Sequence, residues 1–159
     1  MVPGETNLIA CETMPASLDL ASFLPFRLNR LSAEMSRRLF EIYGERYGID
    51  IPEWRVLATL GASEPITAQE VVRSTRTHKS TISRAVARLT EMGWIERTTD
   101  DGDRRQIKLR FTVKGREAYL EIVPLVLASE GEVLDRLGDE QRYVLQALSR
   151  LESALDLDD

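Results

Sequence analysis

The sequence predicts a mainly α-helical fold of the α+β class, and three neighbouring features of residues 74–112 support this prediction. A polar lead-in, residues 74–81, runs into an amphipathic segment that stops at Gly93. Two short strand-like segments follow, residues 94–97 and 106–112, on either side of a charged tip that contains a glycine. A helix followed at once by a basic hairpin is the layout of a winged helix-turn-helix domain, in which the helix enters the major groove of duplex DNA.

Length and composition limit the number of domains and the cellular compartment. The 159 residues suit one domain, or one small domain with oligomerisation arms. No apolar run approaches the roughly 20 residues that a membrane-spanning helix needs, and the first residues lack the basic and apolar regions of a secretory signal. A single cysteine, Cys11, rules out an intramolecular disulfide and fits a reducing compartment. We therefore expect a cytoplasmic protein without membrane contact.

The charge of the chain is unevenly distributed. The net charge is −5, which on its own argues against DNA binding. Residues 67–116, however, hold 12 Lys and Arg against 6 Asp and Glu, a local charge of +6, while the remainder carries 9 against 20, or −11. Phosphate binding depends on local positive charge, and an acidic remainder keeps a protein soluble and repels DNA elsewhere. The alternative is compositional variation on a solvated surface.

The N-terminal part is expected to hold an arm and a long helix. Residues 1–17 contain prolines and no periodicity, which is typical of a flexible arm. A helix is predicted over residues 18–47, because apolar residues recur at spacings of three and four between Leu24 and Ile42. Pro25 falls either in its first turn or at a kink. So broad an apolar surface indicates packing on both its own domain and a second chain.

Two short helices are predicted next. Pro52 opens the first, because proline favours the first turn, and Gly61 ends it. Thr67 and Glu70 then form a capping box, in which each side chain satisfies a free backbone N–H, and start a helix that runs to Ser74.

The segment 79–92 is predicted to be the recognition helix. Its apolar residues share one face: Ile82, Ala85, Val86 and Leu89. At about 100° per residue, the opposite face holds Ser80, Arg84, Ala87 and Glu91, flanked by Thr77, Thr81, Arg88 and Ser83. Small hydroxyl side chains let a helix lie deep in a major groove, and arginine pairs with guanine or phosphate. The alternative is an ordinary solvated helix, although such faces more often carry several Lys and Glu.

The hairpin shows strand alternation. In its second strand three apolar residues alternate with two basic ones, Ile107, Leu109 and Phe111 with Lys108 and Arg110, which predicts one buried and one basic face. At the tip, Asp103 is placed to hold Arg105 through a charge-assisted hydrogen bond. A held arginine can enter a minor groove, where negative potential is concentrated. The alternative is a surface turn whose charges only aid solubility.

The C-terminal part is predicted to be helical. A helix over residues 112–129 would bend at Pro124, a shorter piece would run to Leu137, and a last helix would start at Gly138. The last helix carries an apolar stripe of Val144, Leu148, Leu151 and Leu155.

These expectations divide the chain into three parts. Residues 1–17 form the arm, residues 18–48 and 113–159 form a helical dimerisation region, and residues 49–112 form the winged helix domain. The C-terminal helices lack a partner within so small a domain, so we expect them to pair with a second subunit. A dimer with two-fold symmetry would place two recognition helices about one DNA turn apart.

The order and spacing of four segments resemble the MarR family of bacterial transcription regulators over residues 20–155. The segments are 51–57 (IPEWRVL), 78–89 (HKSTISRAVARL), 91–95 (EMGWI), and Asp103-Arg104-Arg105 followed by Leu109, Thr112 and Gly115, which is similar to the family's wing signature. The resemblance implies an obligate homodimer of winged-helix subunits with interlocked first and last helices. It also implies binding to pseudo-palindromic operators, often as a repressor, and release from DNA by a small, often aromatic or phenolic molecule.

The resemblance also implies roles for individual residues. Ser80, Thr81, Ser83 and Arg84 would face the groove, and Lys79 and Arg88 the phosphates. Arg105 would be the wing arginine, with Arg104 as the competing candidate. The polar lead-in adds three more candidate DNA-binding residues, which are Arg76, Thr77 and His78.

A candidate ligand pocket follows from the same resemblance. It would lie between the long first helix, the Pro52 helix and the helix after the wing, with an aromatic wall and arginines that suit an aromatic carboxylate. The candidate residues are Phe26, Arg30, Trp54, Arg55 and Tyr119. The alternative, that these aromatic residues belong to the core, has equal weight.

The sequence departs from the family pattern at three points. Ile51 stands before Pro52 where Ser or Thr is commoner, so we expect a less well capped helix start. Arg76 stands where many members have glycine in the turn, which adds a phosphate contact or alters the turn. Cys11 precedes the first helix and has no neighbouring cation to activate its thiol, so redox sensing through Cys11 remains only an alternative.

Other classes of protein fit less well. The sequence has no glycine-rich phosphate loop, no nucleophile elbow and no His/Cys cluster with metal-ligand spacing, and His78 is its only histidine. We therefore expect no enzyme activity, no cofactor and no metal. A winged helix that binds only proteins is the remaining alternative, and the Ser/Thr/Arg outer face argues against it.

Overall fold

The computed structural model describes residues 17–99 and 106–157. The elements are α1 (Leu24–Tyr47), α2 (Ile51–Ser63), α3 (Ala68–Thr75), α4 (Lys79–Glu91), β1 (Ile95–Thr99), β2 (Ile107–Phe111), α5 (Val113–Asp135) and α6 (Gln141–Ala154), with a 3₁₀ turn at Gly138–Glu140. By its contacts the chain divides into two units, Met1–Glu34 and Met35–Asp159, and the elements from α2 to α6 all belong to the second. This mostly helical architecture with a two-stranded antiparallel sheet confirms the predicted fold class.

Helix α1 begins six residues later than the apolar pattern predicts. Asp19 holds a turn before the helix, since its carboxylate accepts hydrogen bonds from the Ala21 N–H at 3.0 Å and from the Ser22 hydroxyl at 2.7 Å. Pro25 then occupies the first turn of α1, where a missing N–H breaks no hydrogen bond. The helix ends before Gly48, which has the left-handed φ of 67° expected of a C-terminal glycine.

Helix α2 differs from the prediction at both ends. Its N-cap is Asp50, not Ile51, and Glu53 accepts a hydrogen bond from the Asp50 N–H at 2.7 Å, so the start is well capped. Gly61 does not end the helix, which runs on to Ser63. Glycine at this position leaves space for the Tyr119 side chain, because a Cβ at Gly61 would lie 2.2 Å from the Tyr119 hydroxyl oxygen.

Helices α3 and α4 follow the prediction closely. The Thr67 hydroxyl accepts from the Glu70 N–H at 3.1 Å, and the Glu70 carboxylate accepts from the Thr67 N–H, which completes the capping box. These hydrogen bonds lower the pKa of Glu70. In α4 the predicted inner face is buried throughout: Ile82, Ala85, Val86 and Leu89. These residues join one core cluster with residues from the end of α1, α2, the sheet and α5.

The wing is an antiparallel pair in which Ile95 faces Phe111 and Thr99 faces Ile107. Ile66 adds a bridge to Leu109, with the Leu109 N–H donating to the Ile66 carbonyl at 2.6 Å. Leu109 and Phe111 are buried as predicted, but Ile107 is 52% exposed. The prediction for Ile107 was wrong because this residue stands at the far end of the ribbon, beyond the reach of the core.

The C-terminal part consists of two helices rather than the three predicted pieces. Helix α5 runs without a break through Pro124 to Asp135, so the predicted division at Ser129 is wrong. Helix α6 has no buried residue within the single chain. Its predicted stripe is exposed at Val144, Leu148 and Leu155, with 39%, 42% and 61% of each residue accessible. No helix of the described residues combines the length and hydropathy needed to cross a membrane.

Candidate nucleic-acid interface

The outer face of α4 is the centre of the candidate interface. Ser80, Ser83 and Arg84 are exposed, and Thr81 is half-buried at the edge of the face. The opposite face is fixed in the core, where Ile82 and Leu89 have no accessible surface. The helix can therefore present only this polar face, with small side chains at its N-terminal half and Arg84 above them.

The lead-in to α4 is an ordered turn. Arg76 is the C-cap of α3 with φ 51° and ψ 24°, a left-handed conformation that side chains disfavour. Thr77 is half-buried, and its hydroxyl accepts a hydrogen bond from Arg55 Nη1 at 2.9 Å. His78 caps α4, because its Nδ1 accepts from the Ser80 N–H at 3.3 Å. Arg76, His78 and Lys79 are exposed beside this turn.

Arg88 has partners within the protein. Its Nη2 donates to the Gly48 carbonyl at 2.6 Å, and its Nη1 lies 3.6 Å from the Asp50 carboxylate. These contacts tie α4 to the connection between α1 and α2. About half of this side chain remains accessible. The accessible part leaves room for a phosphate contact by Arg88, which stays a prediction.

A groove of about 510 Å³ extends the polar surface away from α4. It connects the first turns of α3 and α4 with the start of β2, at the end of the wing farthest from its root, and is lined by Thr67, Ala68, Gln69, Glu70, Arg73, Lys79, Gln106 and Ile107. Exposed Arg97 and Arg110 lie on the wing between this end and its root. Arg73 and Arg97 were not predicted as site residues, although both fall within the basic segment of residues 67–116.

The root of the wing is tied to the end of α4. The Thr112 hydroxyl donates to the Gly93 carbonyl at 2.6 Å and accepts from the Gly115 N–H at 3.0 Å. Lys114 Nζ donates to the Met92 carbonyl at 2.9 Å. A Cβ at Gly115 would lie 1.8 Å from the Trp94 carbonyl oxygen, so only glycine lets α5 start this close. The predicted tip residues Asp103, Arg104 and Arg105 lie outside the described residues.

The candidate ligand residues belong to both units, with Phe26 and Arg30 in the first and Trp54, Arg55 and Tyr119 in the second. Arg30 lies over the ring of Phe26 at 5.7 Å, within the first unit. In the second unit Trp54 stacks on Tyr119 with 6.1 Å between ring centroids, and on Tyr43 with 5.5 Å. Phe111 continues the stack, 5.1 Å from Tyr119. Trp54 is therefore a member of the core, and Arg55 is directed to Thr77.

Tyr43 was not predicted as a site residue, and its surroundings are unusual. Its ring is completely buried, and its hydroxyl is the buried side-chain polar atom without a hydrogen-bond partner among the described residues. Burial raises the pKa of Tyr43 to about 12, so the hydroxyl stays protonated at neutral pH. No sequence signal marks this residue, because its ring contacts Trp54 only through tertiary packing. Within the described part of the chain no His, Cys, Asp and Glu group could hold a metal ion.

Known proteins resemble this chain in sequence and in fold. The MarR family model matches residues 47–106. Transcriptional repressor MprA of Escherichia coli (strain K12) is 31% identical over 135 residues, which cover 81% of this chain and 77% of MprA.

Solved structures agree with this relationship. A MarR family transcriptional regulator from Silicibacter pomeroyi DSS is 27% identical with a TM-score of 0.74, over 86% of this chain and 93% of that one. Bordetella bronchiseptica BpsR, solved to explain how 6-hydroxynicotinic acid regulates its DNA binding, shares the fold with a TM-score of 0.72 at 19% identity, over 87% of this chain and 98% of BpsR. The chain belongs to the MarR family of transcriptional regulators, which are not enzymes.

Proposed function

We propose that the protein acts in the cytoplasm as a homodimer that represses transcription from a pseudo-palindromic operator and leaves the DNA when it binds a small aromatic molecule. The observation that carries the DNA-binding part is the fixed outer face of α4. Its N-terminal half offers Ser80, Ser83 and Arg84 to a groove, and these side chains can hydrogen-bond to base edges or phosphates.

The charge distribution supports the same interface. Arg73, Arg76 and Lys79 are exposed around the start of α4, and Arg97 and Arg110 are exposed on the wing. Cations at these places can neutralise phosphates on both sides of a groove occupied by α4. Arg104 and Arg105 would extend this contact at the wing tip, as the resemblance implies.

Dimerisation is supported by apolar surface that the single chain leaves uncovered. Leu120 and Leu127 of α5 are 61% and 56% exposed, and α6 carries the exposed stripe described above. A soluble monomer rarely leaves so many large apolar side chains accessible on adjacent helices. A symmetric pair would bury this surface and place two α4 helices about 34 Å apart, one turn of DNA.

Repression and ligand release are supported by similar proteins. MprA is named a transcriptional repressor, and BpsR is a protein whose DNA binding 6-hydroxynicotinic acid regulates. We extend both properties to this chain and propose an aromatic carboxylic acid as the ligand class. Phe26 and Arg30, already in contact with each other, remain candidate ligand residues of the first unit.

Footprinting and a salt series on DNA upstream of its own gene would test the DNA-binding part. We expect a protected pseudo-palindrome and an affinity that falls at least tenfold between about 50 and 200 mM salt, because several phosphate contacts release counterions. Arg84→Ala should weaken operator binding by about 1–3 kcal/mol and leave binding to scrambled DNA nearly unchanged. Negligible binding at low salt, or an affinity that ignores salt, would favour the protein-interaction alternative.

A second experiment tests the ligand. Aromatic acids, including 6-hydroxynicotinic acid, would be screened for an increase in thermal stability and for release of labelled operator. A ligand at 100 times its Kd stabilises the folded state by about 2.7 kcal/mol, which a thermal shift detects easily. Benzene sulfonamides of matching size serve as uncharged controls. If no acid moves either readout, the protein is a ligand-independent regulator and this part of the proposal is wrong.

A further inference from the structure

One side chain of α2 reaches the turn that leads into α4. Arg55 Nη1 donates to the Thr77 hydroxyl at 2.9 Å in a partly buried contact between residues 22 positions apart. In the described part of the chain no carboxylate forms an ion pair with Arg55, and Thr77 is its hydrogen-bond acceptor. The guanidinium therefore donates to a neutral hydroxyl in the turn and not to a carboxylate of its own helix.

Among the described residues, Arg55 supplies the side-chain hydrogen bond that reaches this turn from outside α3 and α4. Arg76 sits in a left-handed conformation, which a residue with a Cβ adopts only when its surroundings stabilise it. Within the turn, the Thr77 N–H donates to the Thr75 hydroxyl at 3.3 Å, and the Thr77 hydroxyl donates to the Thr75 carbonyl at 3.4 Å. The contact from Arg55 is shorter than both, and a charged donor makes it about twice as strong as a neutral hydrogen bond.

Arg55 follows a residue of the aromatic core along α2, since Trp54 belongs to the core cluster. Burial raises the pKa of Tyr43 to about 12, and the positive charge of Arg55 opposes this rise. Tyr43 in turn stacks on Trp54, the residue before Arg55. Arg55 therefore starts next to a core residue of α2, and its guanidinium reaches the turn at Thr77.

We propose that Arg55 is a positioning residue for DNA recognition, which orients the N-terminal half of α4 by holding the turn through Thr77 and does not itself contact DNA. The inference rests on the proposed DNA interface. The groove-facing candidates Ser80, Thr81, Ser83 and Arg84 all follow this turn within seven residues of Thr77. A change in the direction of the turn therefore displaces them together, although in the described part of the chain none of them hydrogen-bonds to Arg55.

A double-mutant cycle on operator binding tests the coupling. Arg55→Ala should weaken binding about tenfold, the effect of one charged hydrogen bond, and Thr77→Val should weaken it to a similar extent. The double variant should bind no worse than the weaker single variant, because both changes remove the same contact. Arg55→Lys and Thr77→Ser are matched controls that retain a donor and a hydroxyl, and each should recover most of the affinity.

Amide hydrogen exchange of the DNA-free protein supplies a readout that does not depend on DNA. Arg55→Ala should speed exchange of the Thr81 and Ile82 amides, which donate to the His78 carbonyl at 3.0 and 3.2 Å, and leave exchange at Leu57 and Leu60 of α2 unchanged. If the wild type binds no operator, the proposed function fails, and the exchange result still decides the coupling. The role of Arg55 would be overturned if the double variant lost operator affinity by the product of the two single losses. It would also be overturned if Arg55→Ala left amide exchange at Thr81 and Ile82 unchanged.

Discussion

At the scale of single residues, Tyr43 carries an unfavourable interaction that a substitution can remove. Its hydroxyl is buried without a partner and stays protonated, because burial raises the pKa of Tyr43 to about 12. An unsatisfied buried polar group costs about 1–3 kcal/mol. We therefore predict that Tyr43→Phe raises the free energy of unfolding by about 1 kcal/mol in urea denaturation at constant protein concentration.

Tyr47 provides the matched control for this prediction. Its hydroxyl donates to the Glu121 carboxylate at 3.1 Å, so Tyr47→Phe removes a hydroxyl that has a partner. We expect a loss of about 0.5 kcal/mol, within the range of an exposed hydrogen bond. If Tyr43→Phe lowered the free energy of unfolding as much as Tyr47→Phe, the Tyr43 hydroxyl would have a hydrogen-bond partner in solution.

Arg76 shows strain at a residue of the candidate interface. In its left-handed conformation, with φ 51°, a Cβ costs roughly 1 kcal/mol and glycine avoids the cost. We predict that Arg76→Gly raises the free energy of unfolding by about 0.5–1 kcal/mol and weakens operator binding, because a cation is lost from the proposed phosphate-binding surface. Arg76→Ala should weaken binding equally without the gain in stability. Thermal unfolding and operator titration of both variants would separate strain from charge.

The sequence predicts local features of the site well and distant contacts poorly. The buried and exposed faces of α4 follow from spacing alone, and Ser80 and Arg84 lie where the helical period places them. The contacts of Arg55 with Thr77 and of Arg88 with Gly48 join residues 22 and 40 positions apart. Such pairs leave no local pattern, so Arg55 was predicted as a ligand residue and its contact with the turn was missed.

At the scale of elements, the wing depends on one glycine at the start of α5. A Cβ at Gly115 would meet the Trp94 carbonyl oxygen at 1.8 Å, a backbone atom that cannot rotate away. We predict that Gly115→Ala lowers the free energy of unfolding by at least about 2 kcal/mol, as overpacking does. It should also lower operator affinity, since the wing root is displaced.

Gly131 of the same helix is the control. A Cβ there would have no neighbour within 4 Å, so Gly131→Ala should stabilise α5 by about 0.5–1 kcal/mol through helix propensity alone. Circular dichroism melts of the two variants would give opposite shifts. A destabilisation of similar size in both would show that glycine matters here for a reason other than space.

Helix ends were predictable where a local cap determines them. Thr67 and Glu70 start α3 as expected, because a capping box lies within four residues. Gly61 was misread as the end of a helix, yet it lies inside the continuous helix α2. Tertiary packing explains Gly61, because this glycine leaves space for the Tyr119 side chain. The sequence of one segment does not show which distant residues pack against it.

At the scale of the whole molecule, the uncovered apolar side of α6 predicts how the protein assembles. Leu148, in the middle of the stripe, is 42% exposed in the single chain. We predict that Leu148→Glu shifts the proposed dimer to monomers in analytical ultracentrifugation, because a buried charge without a partner opposes association. Operator affinity should fall with it, since a monomer would contact only one half of the proposed pseudo-palindrome.

Gln146→Glu is the control for this variant. Gln146 lies two positions from Leu148, about 200° away around the helix, so its side faces away from the stripe. An added acid there should leave the assembly unchanged. A Leu148→Glu variant that sediments as the wild type would remove α6 from the proposed interface.

The hydrogen bonds at the root of the wing have a mechanical consequence. Because Thr112 and Lys114 connect the end of α4 to the start of α5, we expect the two helices to move together. Helix α5 has 23 residues, so it is about 34 Å long, and a tilt of about 5° at its far end carries α4 through about 3 Å. Displacements of this size are enough to take a groove-facing side chain out of hydrogen-bonding distance. We therefore expect the proposed dimer to leave its operator after a small tilt of α5, without any rearrangement inside the DNA-binding domain.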